Sequence, residues 1–154
     1  MRSIVASVLC LFLVTIATAQ AQLKAPTESA LDRFLRYVKI DTQSAEDQTT
    51  TPSTKKQFNL ANLLAKELNE LGAQNVRVNE FAIVYAMIPG NLPDNSKVPV
   101  VGLIAHMDTS PAVSGENVNA IIHKNYQGGN IVLPKDSSQV ISGRAANNAS
   151  STPV

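Results

Sequence analysis

The stretch VPVVGLIAHMDTSP, from Val98 to Pro111, decides how this sequence is interpreted. Its first half is almost continuously apolar, which is typical of a strand covered on both faces in a sheet with helices packed on it. It then reaches two polar side chains, His106 and Asp108, that are separated by one residue. The stretch therefore predicts a buried strand that presents a histidine and an aspartate at its end.

Two amphipathic helices are predicted before this strand. The first runs from an N-cap at Thr27 to about Ile40, and the second begins at Thr54. Thr54 and the glutamine three residues later have the spacing of a capping box, and Gly72 is placed to end the helix. The polar run between the helices predicts a loop. The apolar faces consist of Leu31, Phe34, Leu35 and Val38 in the first helix and of Phe58, Ala61, Leu64, Ala65, Leu68 and Leu71 in the second.

The hydrophobic period changes after the second helix. Val76 and Val78 alternate with polar residues, which predicts a half-buried strand, and the apolar run 82–88 predicts another. The segment Ile131–Pro134 predicts one more short strand. Helices followed by clustered strands are typical of the α/β or α+β class, and we expect α/β.

Residues 1–21 predict a secretory signal peptide. A single basic residue, Arg2, precedes an apolar run from Ile4 to about Ala17, and small residues with A-x-A spacing follow at either 17–19 or 19–21. The run is shorter than the roughly 20 residues of a membrane span. Cys10, the one cysteine of the chain, lies within it, so the mature protein contains no disulfide. We expect a secreted or periplasmic protein that has no membrane partner once the signal is cleaved.

The charge of the mature chain argues against some classes of partner. Without Arg2, the 13 Lys and Arg residues of the sequence become 12, which balance its 12 Asp and Glu residues. No basic stripe is present, and tryptophan is absent. Nucleic acid is therefore not expected as a partner.

His106 and Asp108 have the spacing of a metal ligand and its orienting carboxylate. Side chains two residues apart in a strand face the same side, and a carboxylate on one imidazole nitrogen fixes the ring for coordination through the other. A surface hydrogen-bonded pair is the alternative that spacing alone leaves open. His123 has no partner at an informative spacing and is interpreted as solvated, as are Glu67 and Glu70 on the second helix.

Four segments between about Leu31 and Leu133 together resemble the N-terminal part of the peptidase T family, the tripeptide aminopeptidases among the co-catalytic zinc exopeptidases. These segments are RFLRYVKIDTQS, PSTKKQ, GLIAHMDTSPAVSGENVN and NYQGGNIVL. The resemblance implies an α/β domain of mixed sheet with flanking helices, and hydrolysis of N-terminal residues from short peptides. It implies that His106 binds one of two zinc ions and that Asp108 is the catalytic residue that orients it. It also implies a homodimer of the complete enzyme through a lid domain.

The sequence departs from this family after Asp108. Its later acidic residues are Glu116 and Asp136, and its later histidine is His123, none of them in a segment that matches the family's further metal ligands. We therefore expect residues 22–141 to be an incomplete catalytic domain, inactive alone, and residues 142–154 to be an unstructured and aberrant tail. A truncated or frameshifted reading of a longer gene would account for this, and a secreted, non-catalytic binding module is the alternative.

Overall fold

The computed structural model describes residues 23–93 and 97–143, so the predicted signal peptide and the tail from residue 144 onward lie outside the described residues. The described residues form two compact units, which divide after Val118. The elements in chain order are α1 (Ala30–Tyr37), α2 (Gln57–Glu70), β1 (Gln74–Val78), β2 (Val84–Met87), β3 (Ile131–Leu133) and β4 (Asp136–Ile141). Two helices with two small antiparallel sheets are compatible with the predicted α/β class. Within this part of the chain, no helix combines the length and apolar character of a membrane span.

Helix α1 is shorter than predicted. Its N-cap is Ser29, whose hydroxyl oxygen accepts a hydrogen bond from the Asp32 N–H at 3.1 Å, so the prediction of a cap at Thr27 was wrong. A short oxygen-bearing side chain at this position satisfies an amide that the first turn leaves without a partner. The helix ends at Tyr37, before the predicted Ile40.

The capping box predicted for α2 was also wrong. The N-cap position is Lys56, which makes no side-chain capping hydrogen bond. The hydroxyl of Thr54 instead donates to the Gln43 carbonyl at 2.7 Å. Thr54 therefore ties the loop before the helix to an earlier part of the chain, and this contact competes with the capping role that its spacing suggested.

Gly72 ends α2 as predicted. Its φ of 88° lies in the left-handed region that favours glycine, directly after the C-cap residue Leu71. The Gly72 N–H donates to the Asn69 carbonyl at 3.0 Å, and the Ala73 N–H donates to the Leu68 carbonyl at 2.9 Å. These two bonds are those of a Schellman motif, which turns the chain directly into β1.

Strands β1 and β2 form an antiparallel ribbon that contacts α2. Both predicted strands are thereby confirmed, although the second is limited to Val84–Met87. The buried apolar residues of the described chain are Leu60, Ala61 and Ala82. The core of the first unit is therefore small and lies between α2 and the segment that leads into β2.

The prediction of a third strand over VPVVGLIA, residues 98–105, was wrong. Residues 98–107 have no regular secondary structure, and the side chains of Val100 and Ile104 are 97% and 99% exposed. A strand needs a neighbour for its backbone N–H and C=O groups, and no described segment pairs with these residues. Pairing begins only at Thr109, which forms an isolated parallel bridge with Gln43.

The second unit contains an antiparallel hairpin of β3 and β4. Ile131 pairs with Ile141 and Val132 with Val140. Strand β3 confirms the short strand predicted over Ile131–Pro134. Strand β4 was not predicted, because its sequence DSSQVI lacks the alternation of a half-buried strand and all six of its residues are exposed.

Candidate functional site

His106 and Asp108 lie side by side in the first unit. The Nδ1 atom of His106 is 3.1 Å from Oδ1 of Asp108, and the two side chains are 85% and 45% exposed. The structure thus brings together the two residues that the sequence singled out, at the end of a segment without regular secondary structure and not at the end of a strand.

The contact between these residues defines which edge of the ring is available. An ionised carboxylate only accepts hydrogen bonds, so its position at Nδ1 favours the imidazole tautomer that carries its proton on Nδ1. Nε2 then presents a lone pair. Within residues 23–93 and 97–143, His106 has no other hydrogen-bond partner. The ring can therefore offer Nε2 to a cation or to a proton donor.

Thr109, the residue after Asp108, is held by its backbone. The Ser44 N–H and the Ser44 hydroxyl both donate to the Thr109 carbonyl at 2.9 Å, and the Thr109 N–H donates to the Thr42 carbonyl at 3.3 Å. Thr42 is buried, with 2% of its surface exposed. The backbone next to Asp108 is therefore attached to the segment that connects α1 and α2.

Gln43 extends this attachment along the following segment. Its side-chain amide donates to the carbonyl of Pro111 at 3.1 Å and to that of Val113 at 2.9 Å. Gly115 then approaches Asp41 so closely that a Cβ on this glycine would lie 2.5 Å from the Asp41 Oδ1 atom. Loop 41–44 thus contacts residues 109–115 at several successive positions.

Asp41 is itself anchored on the residue before α2. Its carboxylate accepts a hydrogen bond from the Lys56 ammonium at 2.6 Å and one from the Gln43 N–H at 2.9 Å. The Lys56 bond, followed by the Gln43 bond, lowers the pKa of Asp41 below its ordinary value. Asp41 therefore stays ionised to lower pH and keeps loop 41–44 attached to the start of α2.

The described residues fit one position of a zinc site. A neutral imidazole whose second nitrogen is hydrogen-bonded to a carboxylate is a suitable zinc ligand. Across residues 23–93 and 97–143, however, no group of three or more His, Cys, Asp and Glu side chains has the geometry to hold a metal ion. Glu116 and His123 are exposed. His106 could thus supply one zinc ligand, with Asp108 hydrogen-bonded to its other ring nitrogen.

Glu67 corrects the prediction of a solvated charge on α2. Its side chain is 12% exposed and accepts hydrogen bonds from the Arg36 guanidinium and the Tyr37 hydroxyl, and both of these residues belong to the last turn of α1. Arg36 also contacts Glu28 at 2.5 Å. The position of Glu67, seven residues after the buried Leu60, places it on the inner face of α2, and this spacing could have indicated its burial. Glu70 is exposed, as expected, at 3.8 Å from Lys66.

Arg36, Tyr37 and Glu67 form a cluster that joins α1 to α2, and burial and hydrogen bonding shift the pKa values of two of its members, Tyr37 and Glu67. Burial, together with the hydrogen bond to Glu67, raises the pKa of Tyr37 to about 12. Burial opposes ionisation of Glu67, but the hydrogen bonds from Tyr37 and Arg36 outweigh it, and the pKa of Glu67 is lowered. The cluster therefore holds an ionised carboxylate and a protonated phenol at neutral pH, which suits a structural link between helices.

Comparison with known proteins finds bacterial relatives that share about half of their residues with this chain over the matched region. The chain is 49% identical over 115 residues to a protein of Listeria innocua, 50% identical over 115 residues to one of Clostridium acetobutylicum, and 52% identical over 114 residues to one of Desulfitobacterium hafniense. These regions cover 74–75% of this chain and 27–28% of the relatives. No protein-family model matches the chain.

All three relatives are peptidases by name, so the chain is similar to a hydrolase class that cleaves peptides. Each of them is a peptidase T, and the resemblance of this chain to the N-terminal portion of peptidase T is confirmed. The matched region spans little more than a quarter of the length of these relatives.

Proposed function

We propose that this chain is the N-terminal part of a zinc-dependent aminopeptidase that removes N-terminal residues from short peptides, in particular tripeptides. The observation that supports the proposal is the His106–Asp108 pair, in which the carboxylate occupies Nδ1 and an exposed ring edge carries Nε2. The likeness to peptidase T over three quarters of this chain supports the choice of reaction.

In this proposal His106 and Asp108 have separate roles. His106 would hold one zinc ion through Nε2, and Asp108 would keep the proton on Nδ1 and the ring in a single orientation. When bound, zinc lowers the pKa of a coordinated water and polarises a scissile carbonyl. The exposure of the ring leaves room for a second protein ligand and a peptide to approach from solvent.

The proposal includes inactivity of the chain by itself. A catalytic zinc site generally has three protein ligands and one open position, and the described residues supply one ligand with its orienting carboxylate. The remaining ligands would come from other residues of the complete enzyme. We also propose export through residues 1–21 to a secreted or periplasmic location, an exopeptidase-type mixed-sheet domain, and a homodimer of the complete enzyme through a lid domain.

A chimera tests the proposed reaction directly. The 115-residue region of Listeria innocua peptidase T that matches this chain is replaced by the corresponding residues of this chain, and tripeptide hydrolysis is measured with zinc present. We expect the chimera to be active, the His106→Ala chimera to be inactive, and Asp108→Asn to cost about 10- to 100-fold. His123→Ala, which replaces an exposed histidine of the same chain, serves as the matched control and keeps activity.

Two results would contradict the proposal. The first is full activity in the His106→Ala chimera, which would exclude this ring from the metal site. The second is a folded chimera without activity beside an active parental peptidase T, which would favour the non-catalytic binding module instead.

A further inference from the structure

We propose that loop 41–44 is a positioning element for the His106–Asp108 pair: Gln43 and Asp41 hold residues 109–115 in place and thereby keep Asp108 against His106. The inference rests on the proposed role of His106 as a metal ligand. It assigns positioning roles to residues that lie more than 60 positions earlier in the chain and that make no hydrogen bond to the His106 ring.

The first argument is that Asp108 is fixed from one side only. Residues 98–107, before it, have no regular secondary structure, and their apolar side chains are largely exposed. Thr109, after it, has both its N–H and its C=O hydrogen-bonded to loop 41–44. The conformation of Asp108 therefore depends mainly on the bonds that hold Thr109.

The second argument is that loop 41–44 contacts several residues of segment 109–115 and not Thr109 alone. The Gln43 amide spans two carbonyls, those of Pro111 and Val113, at 3.1 Å and 2.9 Å. The absence of a side chain at Gly115 allows the Asp41 carboxylate to approach it. A segment held at successive points cannot rotate about Thr109, so the direction of the preceding Asp108 is restricted as well.

The third argument is that loop 41–44 is itself hydrogen-bonded to the residues that precede α2. Lys56, next to the start of α2, donates to Asp41 at 2.6 Å, and the Thr54 hydroxyl donates to the Gln43 carbonyl at 2.7 Å. Charge-assisted and neutral hydrogen bonds thus connect the loop to the best-packed helix of the unit. A ligand ring that is oriented by such a chain of contacts loses less freedom when a metal binds.

The test is the tautomer of His106 in the full 154-residue chain without metal. The difference between the shifts of its two ring nitrogens in nuclear magnetic resonance spectra of the isotope-labelled chain gives the share of the Nδ1–H tautomer, which we call the Nδ1–H signal. Gln43→Glu keeps the size of the side chain but removes both amide donors. We expect loss of the Nδ1–H signal of His106 and shifted amides over 109–115, while the amides of α2 and β1 keep their positions. Gln48→Glu, the same substitution at an exposed glutamine that donates only to Glu46, is the matched control and should change nothing at His106.

An unchanged Nδ1–H signal in Gln43→Glu, with amides 109–115 shifted, would overturn the inference, because the segment would then have moved without affecting the pair. If this variant unfolds, Ser44→Ala decides the question: it removes one hydroxyl donor to Thr109, and we expect a partial loss of the same signal. An unchanged signal in Ser44→Ala overturns the inference equally.

Zinc titration of the unsubstituted chain separates this inference from the proposed function. A His106 ring that depends on Gln43 for its tautomer but responds to zinc no more strongly than the ring of His123 would contradict the metal role and leave the positioning role supported. A ring that binds zinc with the same tautomer in every variant would contradict the positioning role alone.

Discussion

Glu67 on α2 accepts a hydrogen bond from the guanidinium of Arg36 on α1, and this contact joins the two helices of the first unit. We predict that Glu67→Gln lowers the free energy of unfolding by roughly 1–3 kcal/mol, because a charge-assisted bond to a largely buried carboxylate is lost. Chemical denaturation of both proteins measures the difference. Glu70→Gln, at an exposed position three residues later, should stay within about 0.5 kcal/mol of the unsubstituted chain. Equal effects of the two substitutions would contradict the structural role of Glu67.

Tyr37 should ionise later than an ordinary tyrosine. Burial and the bond to Glu67 raise its pKa to about 12, so the stability it contributes is fully present below the ordinary value of about 10 and is lost as the pH rises through about 12. The difference in tyrosinate absorbance between the unsubstituted chain and Tyr37→Phe isolates this residue. In Glu67→Gln we expect the pKa of Tyr37 to fall part of the way towards its ordinary value. The hydrogen bond is lost in this variant, but burial, the larger cause of the shift, remains. A midpoint near the ordinary value in the unsubstituted chain would contradict the burial of the phenol.

The Asp41–Lys56 pair should make the stability of the unsubstituted chain, relative to a variant without Lys56, depend on pH. The pKa of Asp41 is lowered in the folded chain, so its contribution is complete above the unfolded-state value of about 3.9 and disappears as the pH falls through the lowered value. Lys56→Met should therefore be less stable than the unsubstituted chain at neutral pH, with a gap that narrows towards strongly acidic pH. Lys55→Met, at an exposed neighbour, is the control and should show a small gap that does not change with pH. A constant gap for Lys56→Met would contradict the pairing.

Leu60 and Leu103 have the same side chain in opposite surroundings. Leu60 is 8% exposed, and its replacement by alanine should cost roughly 2–4 kcal/mol of unfolding free energy. Leu103 is 93% exposed, and Leu103→Ala should change stability by no more than about 0.5 kcal/mol. Denaturation of the two variants tests whether residues 98–107 contribute to the core. A large cost at Leu103 would mean that this segment is packed as the sequence pattern predicted.

The local features of this fold could be predicted from sequence, because each depends on a few neighbouring residues. Gly72 ends α2 with the left-handed backbone that glycine permits, and the alternation of Val76 and Val78 corresponds to β1. His106 and Asp108 lie together, as their spacing of two residues predicted.

The features that depend on distant contacts could not be predicted in this way. The apolar run 98–104 has the composition of a buried strand, yet a strand forms only where a partner accepts its hydrogen bonds. Thr54 has capping-box spacing, but its hydroxyl bonds to Gln43, far outside the helix. The contacts of loop 41–44 with residues 109–115 join segments more than 60 residues apart, and no local sequence pattern predicts them.

The central claim is that His106 presents Nε2 as a metal ligand because Asp108 occupies Nδ1. Zinc titration of the isotope-labelled full chain, followed by the ring nitrogen shifts of both histidines, tests this claim most directly. We predict that Nε2 of His106 responds at lower zinc concentration than either nitrogen of His123, and that Asp108→Asn weakens this response about 10- to 100-fold. Responses of the two rings at the same zinc concentration, or a His106 response that Asp108→Asn leaves unchanged, would contradict the account.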